Sequence, residues 1–340
     1  MMELLEKDPW FLTIAAFQFF ASSAALVFLI SRWVRNGVLL RYEPRRPIPW
    51  GVAGALLAVA FTAISISSAL AGGTSIDFAE QTSQQLMLNL VVSMVMQSLG
   101  PILLLLIAAT SKATWSDIGL PSRDAAAWAR DVAIGVVACL AAIVPVGLVN
   151  AAARAVLKFP NELTKHPLVE MLTKSELEVF VLVLATVMAV VVAPVAEEIT
   201  YRLLLQGWLE KWEDRRLGWR KRSLTNSMTI ESSDTEASLD ESSQIDEEEP
   251  VELVPVLVDP PQRGIGGLPY GWTPIILSSF LFAAAHCGYG PEPVPLFVLA
   301  LFLGYCYQRT HRIMPCIVAH ALFNLLSMIA LWRVVFLTAG

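Results

Sequence analysis

The chain has 340 residues, of which 55% are hydrophobic and only 16% charged, with a mean hydropathy of +0.58 and a formal net charge of −6. Soluble domains carry roughly 25% charged residues, so this composition excludes an ordinary water-soluble fold and places the chain in a lipid bilayer. An apolar run of roughly 20 residues crosses about 30 Å of hydrocarbon as a helix.

Eight candidate runs follow in chain order, at approximately 10–30, 50–71, 86–109, 131–153, 177–208, 272–290, 293–308 and 312–337. They predict an all-α, polytopic membrane helix bundle of about eight transmembrane helices. The first run is too long for a secretory h-region and follows the acidic start MMELLEKD, so it reads as an anchor. Lys and Arg near span ends favour the cytoplasmic side. The stretches 31–49, 110–130, 209–271 and 309–312 carry five, three, seven and two of them, whereas 72–85 and 288–293 carry none. This alternation puts the odd-numbered loops in the cytoplasm and both termini outside. Arg154, Lys158, Lys165 and Lys174 run against it.

The loops add little chemistry by themselves. RYEPRRPIPW at 41–50 reads as a Pro-rich link, WSDIGLPSR at 115–123 as a turn into the fourth span, and Gly264–Gly267 as a connector. Between Ser223 and Gln262 there are eleven Asp or Glu and no Lys or Arg, so the remaining chain sets 24 basic residues against 19 acidic ones. Such a Ser-rich acidic stretch cannot bury enough surface to order itself. It reads as a disordered cytoplasmic insertion spanning about 213–271, with VELVPVLV available as a transient strand. Just before it, KWEDRRLGWRKR mixes Trp with Lys and Arg, which suits a membrane interface facing anionic lipid rather than nucleic acid. Cys139, Cys287, Cys306 and Cys316 lack ligand-like spacing and read as small buried hydrophobes.

Polar groups inside apolar runs are the strongest functional signal, because ionisable side chains there are costly and face protein or water. EEITYR (197–202) ends the run MAVVVAPVA; FAAAH (282–286) and HALFN (320–324) lie in later spans. Glu198 and Arg202, Phe282 and His286, and His320 and Asn324 are each four apart, so each pair shares one helix face. Pro194, one turn before Glu197, removes a backbone donor and favours a kink. At about 1.5 Å rise per residue, Glu197, His286 and His320 lie roughly 18, 21 and 12 Å in from the expected cytoplasmic ends. A carboxylate beside an imidazole in such a pocket can activate water, and amide or imidazole donors can stabilise an oxyanion. The residues alone also allow a set of interhelical hydrogen bonds that only holds the bundle together.

Taken together and in order, EExxxR, FxxxH and HxxxN resemble the CPBP intramembrane protease family, which includes the CaaX prenyl endopeptidases and bacteriocin-processing relatives. RTHRIMPCIVAHALFN is similar to the third motif region of that family, and WSDIGLPSR resembles its upstream D-x-G-L element. The resemblance covers about 115–335, leaving 1–114 as additional N-terminal membrane helices. It implies a bundle with its active site inside and an integral-membrane endopeptidase acting on membrane-associated or lipidated protein substrates. Separately, the sequence shows no obvious transit or retention signal, which points to a bacterial inner membrane. It implies that Glu197 with His286 activates water, that His320 and Asn324 stabilise the oxyanion, that Glu198 and Arg202 support these groups, and that Phe282 packs the site. It favours catalysis without a tightly held metal. One Glu and two His, Glu197, His286 and His320, could also ligate zinc, although HExxH is missing. The alternative within the same family is an inactive adaptor or immunity-like protein that binds a partner in this pocket. A transporter is disfavoured, because the polar residues form one cluster rather than a path.

Overall fold

The computed structural model describes residues 9–44, 47–70, 83–111, 113–120, 124–157, 179–218, 259–287 and 291–339. Among them the regular structure is helical, apart from one isolated bridge between Arg263 and Pro269. The helices are α1 (Pro9–Asn36), α2 (Ala53–Leu70), α3 (Ser83–Thr110), α4 (Ala125–Leu157), a composite α5, then α6 (Trp272–Ala284), α7 (Pro293–Thr310) and α8 (Met314–Ala339). α5 runs without a break through Val179–Val187, a π turn Met188–Val192, Ala193–Glu198, a second π segment Ile199–Gln206 and Gly207–Leu217. Every apolar run in the sequence therefore contains a helix. The acidic stretch 223–258, with its expected disorder and its VELVPVLV piece, lies outside the described residues.

By length and composition, Pro9–Asn36, Ala125–Leu157, Phe180–Leu217 and Met314–Arg333 are long and apolar enough to cross a membrane; Ala53–Ser67, Met87–Leu99 and Trp272–Ala284 are shorter apolar helices. α1 exposes Trp10, Phe17, Phe20 and Val34 and buries only Ser22 and Ala25. In water that surface would drive aggregation, whereas hydrocarbon solvates it. This is an integral membrane protein.

Because lipid is as apolar as leucine, helices in a bilayer associate by close packing and interhelical hydrogen bonds. α4 and α8 pack closely through Gly135, where an added Cβ would lie 2.7 Å from Val318 Cβ and 2.8 Å from the Pro315 carbonyl. The main core joins Ala138, Cys139 and Ala142 of α4 with Leu299 and Leu303 of α7 and Cys316 and Ala319 of α8. Cys139, Cys306 and Cys316 are buried free thiols and Cys287 is partly buried.

The end of the bundle carrying 41–44, 113–120 and 311–313 is tied by polar contacts that the loop sequences do not reveal. Arg312 grips Glu43 with two bonds of 2.6 and 3.0 Å and also meets the buried Asp131 at 2.7 Å. Asp117 accepts from the Thr114 backbone and hydroxyl, fixing the turn that ends at Gly119. The Gly119 carbonyl receives the Ile313 N–H at 2.9 Å. Gly119 sits at φ +72°, and a Cβ there would lie 2.8 Å from the His311 carbonyl. Gly119→Ala is therefore expected to cost at least about 1–2 kcal/mol from left-handed backbone alone, read as a lower melting temperature in detergent. The D-x-G-L turn is thus a clamp on the segment that leads into α8.

The KWED part of α5 faces two ways. Trp212 is partly exposed, with the Arg216 guanidinium 6.0 Å from its ring centroid. Glu213 and Asp214 are fully buried: Glu213 accepts the Ile265 and Gly271 N–H groups at 3.2 and 3.0 Å, and Asp214 accepts the Tyr270 hydroxyl. Gly264 to Gly271 is consequently more than a connector, because it wraps a carboxylate of α5. The segments flanking the acidic stretch are fastened to each other without it. Deleting residues 223–262 is expected to leave the detergent-extracted protein monodisperse on size exclusion; aggregation would show that the stretch is structural.

Candidate active site

The two carboxylates of the first motif close a short α-helical piece, Ala193–Glu198, held between two π segments, and Ile199 to Arg202 of the motif lie in the second of these. π turns within α-helices concentrate at functional sites because they re-aim side chains at a cost in backbone geometry. Glu198 is fully buried. One of its oxygens lies 2.8 Å from His320 Nδ1 and the other accepts Arg202 Nε at 3.1 Å. Arg202 is also fully buried and passes a second bond to Ser278 Oγ at 3.2 Å. Ser278 in turn donates to Gln206 Oε1 at 3.2 Å, and Gln206 donates to the Gly304 carbonyl at 2.8 Å. A chain of hydrogen bonds, charge-assisted at Glu198 and Arg202, therefore links α5, α6, α7 and α8. Motif spacing does not point to Ser278 or Gln206. Gln206 sits one turn beyond Arg202, so extending the helical face by four residues would have found it.

Glu197 has a different environment. Its side chain keeps 15% of its exposure and stands 3.9 Å from His320 Nε2. That separation is too long for a direct hydrogen bond and suits a bridging water. His320 thus lies between the two carboxylates, with Nδ1 toward Glu198 and Nε2 toward Glu197. A carboxylate only accepts, so Nδ1 carries the proton and Nε2 is the nitrogen presented to Glu197.

His286 is partly buried at the end of α6, with Nδ1 2.9 Å from the Phe282 carbonyl. The same reasoning puts a proton on Nδ1 and leaves Nε2 of the neutral ring as an acceptor. Phe282 is fully buried between the two imidazoles, its ring centroid 5.1 Å from that of His286 and 5.7 Å from that of His320. Arg202 and Tyr201 flank the same ring at 5.5 and 5.4 Å. Tyr201 is tied to Thr62 of α2 by a 3.0 Å hydroxyl contact, which joins the N-terminal helices to the site wall. Asn324 lies one turn beyond His320, and its amide donates to the Ala189 carbonyl of the first π turn at 2.8 Å.

Among the described residues no three His, Cys, Asp or Glu side chains are grouped so that they could hold a metal ion.

Residues 261–326 match the family model described as type II CAAX prenyl endopeptidase Rce1-like. Over that stretch the chain is similar to the Rce1-like family. The Rce1-like stretch contains Phe282, His286, His320 and Asn324 but not the first motif. Glu198 enters through its bond to His320, so geometry joins EEITYR to the matched segment. Comparisons with curated proteins and with solved structures give no match. The Rce1-like match supports a membrane protease of the CAAX endopeptidase type.

Proposed function

We propose that the protein is a glutamate-dependent endopeptidase that hydrolyses peptide bonds of membrane-associated or lipidated protein tails. In this reading the chain crosses the membrane about eight times, the site lies inside the bundle, and the acidic stretch is cytoplasmic. The observation that carries it is His320 set between a buried, ion-paired Glu198 and a partly exposed Glu197.

The two carboxylates then divide the work. Glu198, already engaged by Arg202 and His320, orients the imidazole. Glu197 takes a proton from water while the water oxygen attacks the scissile carbonyl carbon, and His286 Nε2 accepts the other water hydrogen. The carbonyl electron pair moves to oxygen, where Nε2–H of a doubly protonated His320 meets it. Donors placed where charge develops lower such barriers more than the same bonds do in water. Collapse of the intermediate breaks the C–N bond; the proton held by Glu197 passes to the leaving nitrogen, giving an amine and a carboxylic acid, and the acid loses its remaining proton by way of His286 to water to leave as a carboxylate. No step needs a redox partner, and no tightly held metal is invoked. Activity that is restored specifically by zinc, with stoichiometric zinc in the active protein, would overturn that last point.

The test uses purified full-length protein and a panel of lipidated and unlipidated hydrophobic peptides. Wild type is expected to release new fragments that Glu197→Ala does not. Identical profiles from the two proteins would sink the enzyme reading and leave a binding protein.

A further inference from the structure

The first π turn of α5 ends at a place fixed by one missing hydrogen atom. Within Met188–Val192 the hydrogen bonds step five residues back, and the Ala193 N–H reaches the Met188 carbonyl. The next bond in that register would run from residue 194 to the Ala189 carbonyl. Pro194 has no N–H to give. The α register offers no substitute, since its donor to Ala189 would be the Ala193 N–H that is committed to Met188. Ala189 is therefore left without a main-chain donor from its own helix, in surroundings where an unsatisfied carbonyl costs the full desolvation of that group. Asn324 Nδ2 fills the vacancy at 2.8 Å from across the bundle.

We propose that Asn324 is a positioning residue, whose amide caps the carbonyl orphaned by Pro194 and so fixes the helical turn that carries Glu197. The proposal deepens the endopeptidase reading and rests on it for its kinetic part. It assigns Asn324 a role other than the oxyanion donor that the family resemblance implies. Contacts on either side support it. His320 holds Glu198 one turn before, and Trp332 Nε1 donates to Thr186 Oγ1 at 2.9 Å two turns after. α8 is thus laced antiparallel along α5 by three polar ties at Glu198, Ala189 and Thr186, and the middle tie falls where the α5 backbone departs from α geometry. Glu197 lies three residues past Pro194, while the carbonyl that Asn324 holds lies five before it. Without the tie, the π turn can relax and carry Glu197 away from His320 Nε2.

The idea makes a coupling prediction that an oxyanion donor does not. Pro194→Ala restores an N–H to the helix. In the π register it serves Ala189 directly; in the α register it frees the Ala193 N–H to do so. Either way Asn324 becomes dispensable. Wild type, Pro194→Ala, Asn324→Ala and the double variant would be compared as purified full chains. Two readouts are cleavage kinetics and amide hydrogen exchange of the segment 188–198. Asn324→Ala alone is expected to speed exchange there and lower kcat by about 10-fold or more with KM little changed. In the Pro194→Ala background the same substitution is expected to change both by less than about threefold. An equal kcat loss in both backgrounds, with exchange unaltered, would overturn the proposal and return Asn324 to the oxyanion. If no protein in the set cleaves peptide, the endopeptidase reading fails, and exchange alone decides the cap: rescue by Pro194→Ala supports it and no rescue overturns it. Should Asn324→Ala not fold, Asn324→Ser, which keeps a shorter donor, replaces it in the same comparison.

Discussion

Glu197→Gln is expected to abolish peptide hydrolysis while leaving the protein folded. Losing a positioned general base removes about 10²- to 10⁴-fold in rate, and glutamine keeps the size and hydrogen-bonding capacity of the side chain but accepts no proton. The structural cost should be small, because Glu197 is partly exposed and His320 Nε2, at 3.9 Å, is beyond direct hydrogen-bond distance. The signature is therefore a fall in kcat with KM and melting temperature near wild type. A loss of stability equal to the loss of activity would contradict the division of roles between the two adjacent glutamates.

Glu198→Ala should show the opposite pattern. Its carboxylate is fully buried and satisfies Arg202 Nε and His320 Nδ1 together. Removing it strands a guanidinium at zero exposure, and breaking one side of a buried pair typically costs about 3–5 kcal/mol. The expected outcome is aggregation on mild detergent extraction, or a melting temperature far below that of Glu197→Gln. Replacing the pair as a whole, Glu198→Met with Arg202→Met, should recover part of the stability, since no charge is then left uncompensated. It should not recover activity, because His320 loses its orienting acceptor. If Glu198→Ala melts with wild type, the buried pair does not hold the site in the way the geometry indicates.

Much of this architecture was legible in the chain because lipid imposes a simple rule: backbone polar groups must be satisfied internally, so apolar runs become helices. Each of the eight runs contains one. The i, i+4 pairing of Glu198 with Arg202 was legible for a similar reason, since helical periodicity alone sets it. Contacts between distant segments were not. Nothing local marks Glu43 and Asp131 as the two partners of Arg312, because they lie 269 and 181 positions away in the chain and only folding brings them together. The loops that read as plain links turned out to carry that clamp. Pro194 signalled a kink, yet periodicity carries no information on whether an α or a π turn absorbs it. The partner of the freed carbonyl, Asn324, could be found only from coordinates. The family resemblance implies Glu197 acting with His286; the approach of Glu197 to His320 Nε2 at 3.9 Å is a further contact that no spacing within a motif reveals.

The match over 261–326 and the resemblance of EEITYR, FAAAH and HALFN rest on different residues in part, since the first motif lies outside the matched stretch. The bond between Glu198 and His320 makes them one site. What distinguishes an enzyme from a binding protein built on that site is whether Glu197 moves a proton. The most direct measurement is mass spectrometry of a membrane-anchored peptide reconstituted in proteoliposomes with wild type or Glu197→Gln. Two fragments whose masses add up to the substrate plus one water, formed by wild type and absent with Glu197→Gln, are the predicted result; the same fragments from both proteins would contradict it.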